Sequence, residues 1–117
     1  MNETLTNKTL EFAETLKKSR EYVDYLNYKS FLENQPELLE RVNNFRKQSF
    51  EIQAGHKYGY FNAYENLLKL NEEHEDLLNE PIVRSFLNAE LEVSKIINQI
   101  HNVFAEAIDF NLDFLED

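Results

Sequence analysis

The stretch that decides the fold is PIVRSFLNAELEVSKIINQIHNVFAEAID, residues 81–109. Apolar side chains recur in it at steps of three and four residues, the period at which an α-helix returns to one face. Pro81 suits the first turn of a helix, where its missing N–H leaves no hydrogen bond unmade. The spacing therefore predicts one long amphipathic helix. Its apolar stripe comprises Val83, Phe86, Glu90, Val93, Ile97, Ile100, Phe104 and Ala107.

The length of this helix creates a packing problem. At 1.5 Å per residue it spans about 40 Å, whereas a compact chain of this size has a radius of gyration of about 13 Å. One end must extend beyond the rest of the chain, and we expect a second copy or a related chain to cover it. A kink, or a fold-back of the N-terminal helix, is the alternative. The predicted interface residues are Val83, Phe86, Glu90, Val93, Ile97, Ile100 and Phe104.

Glu90 is the one charged residue on this stripe. A buried carboxylate needs a cationic or hydrogen-bonding partner, and the candidates are Arg41, Arg46 and Arg84. Two interpretations stay open: an ion pair that fixes the register of an interface, or a side chain at the edge of the stripe that reaches water.

The rest of the chain also predicts helices, because only two glycines and two prolines interrupt 117 residues and apolar residues keep the helical period. The N-terminal segment is either continuous over residues 4–33 or broken near Ser19, which could cap a second helix. Pro36 begins a third helix that is expected to end near Ala54, with Gly55 as its stop.

Residues 55–59 are the best loop candidate, and a fourth helix is expected from Phe61 to about Asn79. The fold class predicted is an all-α antiparallel bundle of four to five helices with a long C-terminal helix, forming a dimer. Residues 1–117 are expected to form a single domain. Residues 109–117, which alternate acidic and apolar side chains, are expected to pack as a C-terminal arm, with a recognition peptide as the alternative.

Composition removes several classes of function. The chain has no cysteine, so it cannot supply disulfides, thiolate nucleophiles, or cysteine ligands for zinc or iron–sulfur clusters. Its N-terminus does not resemble a signal peptide, and no apolar run approaches the roughly 20 residues that cross a bilayer. We therefore expect a soluble, cytoplasmic protein without membrane insertion.

The net charge of −10 disfavours binding to phosphate backbones, and no direct contact with DNA is expected. Basic residues form two small groups with acidic neighbours, for which a solvated helical surface is the favoured interpretation. A nucleic-acid module that contacts RNA through them is the alternative function. The two groups are Lys17, Lys18 and Arg20, and Arg41, Arg46 and Lys47.

No catalytic or metal-binding motif is found. His56, His74 and His101 have no histidine three or four residues away and no glutamate three residues before them, so helical zinc and di-iron motifs are absent. Flanking glycines for a serine nucleophile are absent as well. The sequence predicts no catalytic residue, no metal site and no cofactor. Tyr22, Tyr25 and Tyr28 are expected to pack in the core or an interface rather than to stack on bases.

Four segments resemble the YlbF/YmcA family of small helical bacterial proteins, which includes YheA-type members. They are KSREY (18–22), PE (36–37), FR (45–46) and, above all, PIVRSFLNAE (81–90). The resemblance implies a cytoplasmic all-α protein that forms homodimers or mixed complexes with relatives.

The same resemblance implies a non-enzymatic regulator of competence, sporulation or biofilm formation, acting through complexes that influence an RNA-processing endonuclease. An uncharacterised homodimer of the YheA type is equally compatible with it. Some complexes of the family carry iron–sulfur clusters bound by cysteines, and this chain has none to offer. Residues and resemblance together predict an interaction protein.

Overall fold

The computed structural model describes residues 1–57 and 62–109, and every regular element within these ranges is an α-helix. The all-α prediction is therefore confirmed, including the long C-terminal helix. In chain order the helices are α1 (Glu3–Lys17), α2 (Arg20–Glu33), α3 (Pro36–Lys57), α4 (Ala63–Glu73), α5 (Glu75–Leu78) and α6 (Pro81–Ala107).

The chain divides into two compact units. The central unit, residues 26–87, holds most of α2, all of α3, α4 and α5, and the first turns of α6. The terminal unit joins residues 1–25 to the chain from Asn88 onwards, and so contains α1, the start of α2 and most of α6. The prediction of a single domain stays a prediction.

The N-terminal segment forms two helices with a break near Ser19, which was one of the two alternatives predicted from the sequence. α1 ends at Lys17 and α2 begins at Arg20. Ser19 caps α2, since its Oγ accepts a hydrogen bond of 3.2 Å from the N–H of Tyr22. Tyr22 is the third residue after Ser19 and so occupies the N3 position, whose N–H is a usual donor to the side chain of an N-cap residue.

The predicted end of the third helix is wrong, because α3 continues through Gly55 to Lys57. Glycine ends a helix only where the backbone turns to positive φ, and within a helix it merely costs about 1 kcal/mol relative to alanine. The loop candidate 55–59 is therefore helical in its first three residues, and the remaining two lie outside the described residues.

The fourth helix is divided in two where one was expected. α4 begins after Asn62, whose Oδ1 accepts from the N–H of Glu65 at 3.2 Å, and the predicted start at Phe61 lies outside the described residues. His74 then leaves the helical backbone conformation, with φ −114° and ψ 24°. Its Nδ1 lies 2.9 Å from the carbonyl oxygen of Leu70, which also accepts a hydrogen bond of 3.1 Å from the backbone N–H of His74. α5 ends at Leu78, with Asn79 as its C-cap, as predicted.

The central unit holds nearly all of the buried apolar residues of the described chain. α3 and α4 form an antiparallel pair, because Phe45 contacts His74 at the end of α4 with ring centroids 5.3 Å apart, while Ile52, further along α3, lines the same groove as Asn66 near the start of α4. The guanidinium of Arg46 lies 5.4 Å from the ring centroid of Phe86, a cation–π contact between α3 and the start of α6. The buried residues of this unit are Leu32, Val42, Phe45, Ala63, Leu70, Leu77, Val83 and Phe86.

The terminal unit is poorly buried by comparison. α1 contains no buried residue, and Ala89 is the one buried apolar residue among those described in this unit. None of the helices in the described ranges combines the length and the apolar character that crossing a membrane requires.

The cap of α2 can be tested by Ser19→Ala. Loss of the hydrogen bond to the N–H of Tyr22 should lower the free energy of unfolding by about 1 kcal/mol, measured by urea denaturation followed by circular dichroism. Ser30→Ala, at an exposed position inside the same helix, is the matched control and should leave stability equal or slightly higher. An unchanged midpoint for Ser19→Ala would contradict the cap.

The helical conformation of Gly55 gives a second prediction. Gly55→Ala should raise the free energy of unfolding by about 0.5–1 kcal/mol, and the reverse change at the adjacent helical position, Ala54→Gly, should lower it by a similar amount. Thermal unfolding of both variants provides the measurement. A destabilised Gly55→Ala would instead indicate a left-handed backbone and a helix that stops at this residue.

Candidate interaction surface

The α6 stripe changes its environment along the helix. Val83 and Phe86 are buried in the core of the central unit, and the predicted interface of α6 stays a prediction. Glu90, Val93 and Ile100 are half-buried, while Ile97 and Phe104 are 51% and 62% exposed. Four apolar residues therefore make up what we name the distal stripe: Val93, Ile97, Ile100 and Phe104.

The kink offered as one alternative for covering this surface is not found in the structure. α6 is one continuous helix from Pro81 to Ala107, so no interruption redirects the stripe. α1 belongs to the same unit as the distal stripe, yet it buries none of its own residues. Ile97 and Phe104 thus stay open to solvent on the isolated chain.

The positions beside the distal stripe are uncharged. If the stripe residues are the inward positions of a heptad pattern, the flanking positions are Ser94 and His101 on one side and Ile96 and Val103 on the other. Val103 is exposed, and sequence reasoning omitted it from the interface although its place next to Phe104 could have indicated it. The result is a broad apolar surface with no charge of its own.

Apart from Glu90, the charged residues in the exposed part of α6 lie away from this surface. Glu92 and Lys95 pair with each other at 3.2 Å on the exposed side of the helix, and at such exposure the pair adds a few tenths of a kcal/mol at most. Glu90 is half-buried at the start of the exposed part, and its role in fixing a register stays a prediction.

Some members of the two basic groups contact other side chains of the chain, and the others are exposed. In the first, Lys17 pairs with Glu14 at 3.2 Å and Arg20 with Asp24 at 3.8 Å. In the second, Arg46 donates to Asn43 at 3.0 Å and covers the Phe86 ring. Lys18, Arg41 and Lys47 are exposed. These side chains are thus divided between local contacts and solvent.

The three tyrosines of α2 are half-buried. Tyr22 and Tyr25 contact each other with ring centroids 6.1 Å apart and planes inclined at 38°. Packing of the tyrosines in the core or an interface, rather than stacking on bases, stays a prediction.

One groove of the central unit has a volume of about 460 Å³ and lies between α3 and α4. Its floor is apolar, with Ile52 and Leu70, and its walls carry Glu51, Lys69 and Glu73. These side chains include no nucleophile with a neighbouring general base. Within residues 1–57 and 62–109, no three histidine or carboxylate side chains come together in an arrangement that could hold a metal ion.

The sequence profile described as "Control of competence regulator ComK, YlbF/YmcA" matches residues 5–109. The chain belongs to the YlbF/YmcA family. The match includes α1, the central unit and the whole of α6, so the exposed part of the stripe lies within the region that defines the family.

Relatives of this YlbF/YmcA chain carry names without a stated activity. It is similar to a UPF0342 protein of Caldicellulosiruptor bescii, with 26% identity over 100 residues, 86% of this chain and 84% of the relative. It is also similar to UPF0342 proteins of Desulfitobacterium hafniense, with 26% identity over 84% of this chain and 79% of the relative, and of Symbiobacterium thermophilum, with 24% identity over 87% and 91%. No solved structure shows significant similarity to it.

Proposed function

We propose that this protein is a non-enzymatic regulatory adaptor that self-associates through the distal stripe of α6 and presents its remaining surface to partner proteins. The observation that carries the proposal is the exposure of Ile97 and Phe104 on the same stripe whose first residues, Val83 and Phe86, are core. Exposed apolar surface that continues a core stripe is typical of an interface.

A second copy is the favoured occupant because of charge. The chain carries a net charge of −10, so two copies repel each other wherever their carboxylates approach. The distal stripe and its flanking positions are uncharged, which makes this surface the one where two copies can approach with least repulsion. Related family members, which share the fold, are further partners of the same kind.

The regulatory part of the proposal rests on two supports. The family is described by its control of competence, and within the described residues no group of histidine or carboxylate side chains is placed to hold a metal ion. We propose that the assembly acts in competence, sporulation or biofilm control, or on an RNA-processing endonuclease, in the cytoplasm.

The interface is tested by Ile97→Glu, with Leu91→Glu as the matched control. Both residues lie on α6 and are exposed to the same degree, 51% and 52%, but Leu91 lies off the stripe. We expect Ile97→Glu to lower the mass of the wild-type assembly to that of one chain in size-exclusion chromatography with light scattering, because two buried carboxylates would face each other. Leu91→Glu should keep the wild-type mass.

Circular dichroism separates dissociation from unfolding in this experiment. Because Ile97 is exposed on the single chain, its replacement should leave the helical signal of a dilute sample unchanged. A wild-type chain that is monomeric at high concentration, or an Ile97→Glu variant of unchanged mass, would refute self-association through this surface.

The adaptor role predicts a difference between the same two variants in the host cell. Tagged wild-type protein and Leu91→Glu should recover family relatives or an RNA-processing enzyme from host lysate, with or without ribonuclease, as identified by mass spectrometry. Ile97→Glu should lose those proteins that require the assembly. Recovery of the tagged chain alone, in every case, would leave self-association standing and refute the adaptor role.

A further inference from the structure

A second exposed apolar surface lies on α4. This helix buries Ala63 and Leu70 in the central unit, while Tyr64 and Leu68, one turn apart, are 73% and 45% exposed. We name these two residues the outer strip of α4. Tyrosine combines a large apolar ring with a polar end, and it is among the residues that most often anchor a protein interface.

Carboxylates surround the outer strip. Residues 63–78 contain five carboxylates and a single lysine, Lys69. Two of the five border the strip at helical spacing: Glu65 precedes Leu68 by three residues, and Glu72 follows it by four, so both lie on its side of the helix. All five are exposed, and within the described ranges no side-chain ion pair involves them.

The placement of these charges is unfavourable for α4 itself. Glu72 and Glu73 occupy its last turn, where no basic residue accompanies them. The C-terminus of a helix carries a partial negative charge, so carboxylates there destabilise it and cations stabilise it. A cationic group from outside would therefore interact favourably with both the carboxylates and the helix end.

We propose that the outer strip of α4 docks a basic amphipathic helix of another protein. Its apolar residues, spaced by four, would pack on Tyr64 and Leu68, and its lysines or arginines would face Glu65 and Glu72. A second copy fits this surface poorly, because it brings a net charge of −10 towards an already acidic surface. The proposal assigns a chemistry to the partner of the proposed adaptor, but it uses none of the residues of the distal stripe.

The probe for this surface is a synthetic helical peptide with two leucines four residues apart, flanked by lysines and labelled with a fluorophore. Fluorescence anisotropy with the full chain should show saturable binding that weakens as salt is added. The double variant Tyr64→Ala and Leu68→Ala should weaken binding by about tenfold or more. Alanine favours helix, so α4 should stay formed, as circular dichroism would verify.

Matched controls separate the apolar and the charged contributions. Phe31→Ala removes an exposed aromatic side chain from α2 and should leave the affinity unchanged. Glu65→Gln with Glu72→Gln should weaken binding and reduce its dependence on salt, whereas Glu37→Gln with Glu40→Gln, exposed carboxylates of α3, should have a much smaller effect. The same peptide with glutamates in place of its lysines should not bind.

Two results would overturn the proposal. Equal affinity of the wild type and of the Tyr64→Ala and Leu68→Ala variant would show that the peptide binds elsewhere. A fall in the mass of the assembly in that variant would show that a second copy occupies the strip. Ile97→Glu should bind the peptide as the wild type does, so that failure of self-association through α6 is distinguishable from failure of this site.

Discussion

The apolar stripe of α6 is the constraint on which the rest of the structure depends. A helix of 27 residues is about 40 Å long, and its stripe continues past the part that the core of the central unit uses. Phe86 is buried there beneath the guanidinium of Arg46, whereas Ile97 and Phe104, on the same stripe, are open to solvent. Burial of the first part provides a core, and exposure of the second part provides a reason to bind another chain.

None of the described charged residues is buried in the core. Four ion pairs join residues three or four apart on exposed helix surfaces, and such pairs contribute little to stability. The excess of carboxylates lies elsewhere and includes the acidic surroundings of α4. Under the two proposals, this small chain presents two apolar surfaces of different character: the uncharged distal stripe for a second copy, and the acidic outer strip of α4 for a basic partner.

The errors of sequence reasoning have a common physical origin. Gly55 is an ordinary helix stop by residue type, but α3 continues through it, and the intrinsic penalty of a glycine inside a helix is only about 1 kcal/mol. His74 interrupts the predicted fourth helix, although neither glycine nor proline marks the position. In both places the local preference is weak, so residue type alone does not decide the backbone conformation.

The sequence by itself determined the helical class, the starts of α3 and α6 at Pro36 and Pro81, and the end of α5 before Asn79, since periodicity and capping are properties of neighbouring residues. It also showed the resemblance to the YlbF/YmcA family. Only the tertiary structure decided between one helix and two at Ser19, and which part of the α6 stripe is core and which part is surface. Val83 and Ile97 occupy equivalent places in the same periodic pattern. What separates them is whether another segment of the chain reaches that part of the helix, and no local pattern contains that information.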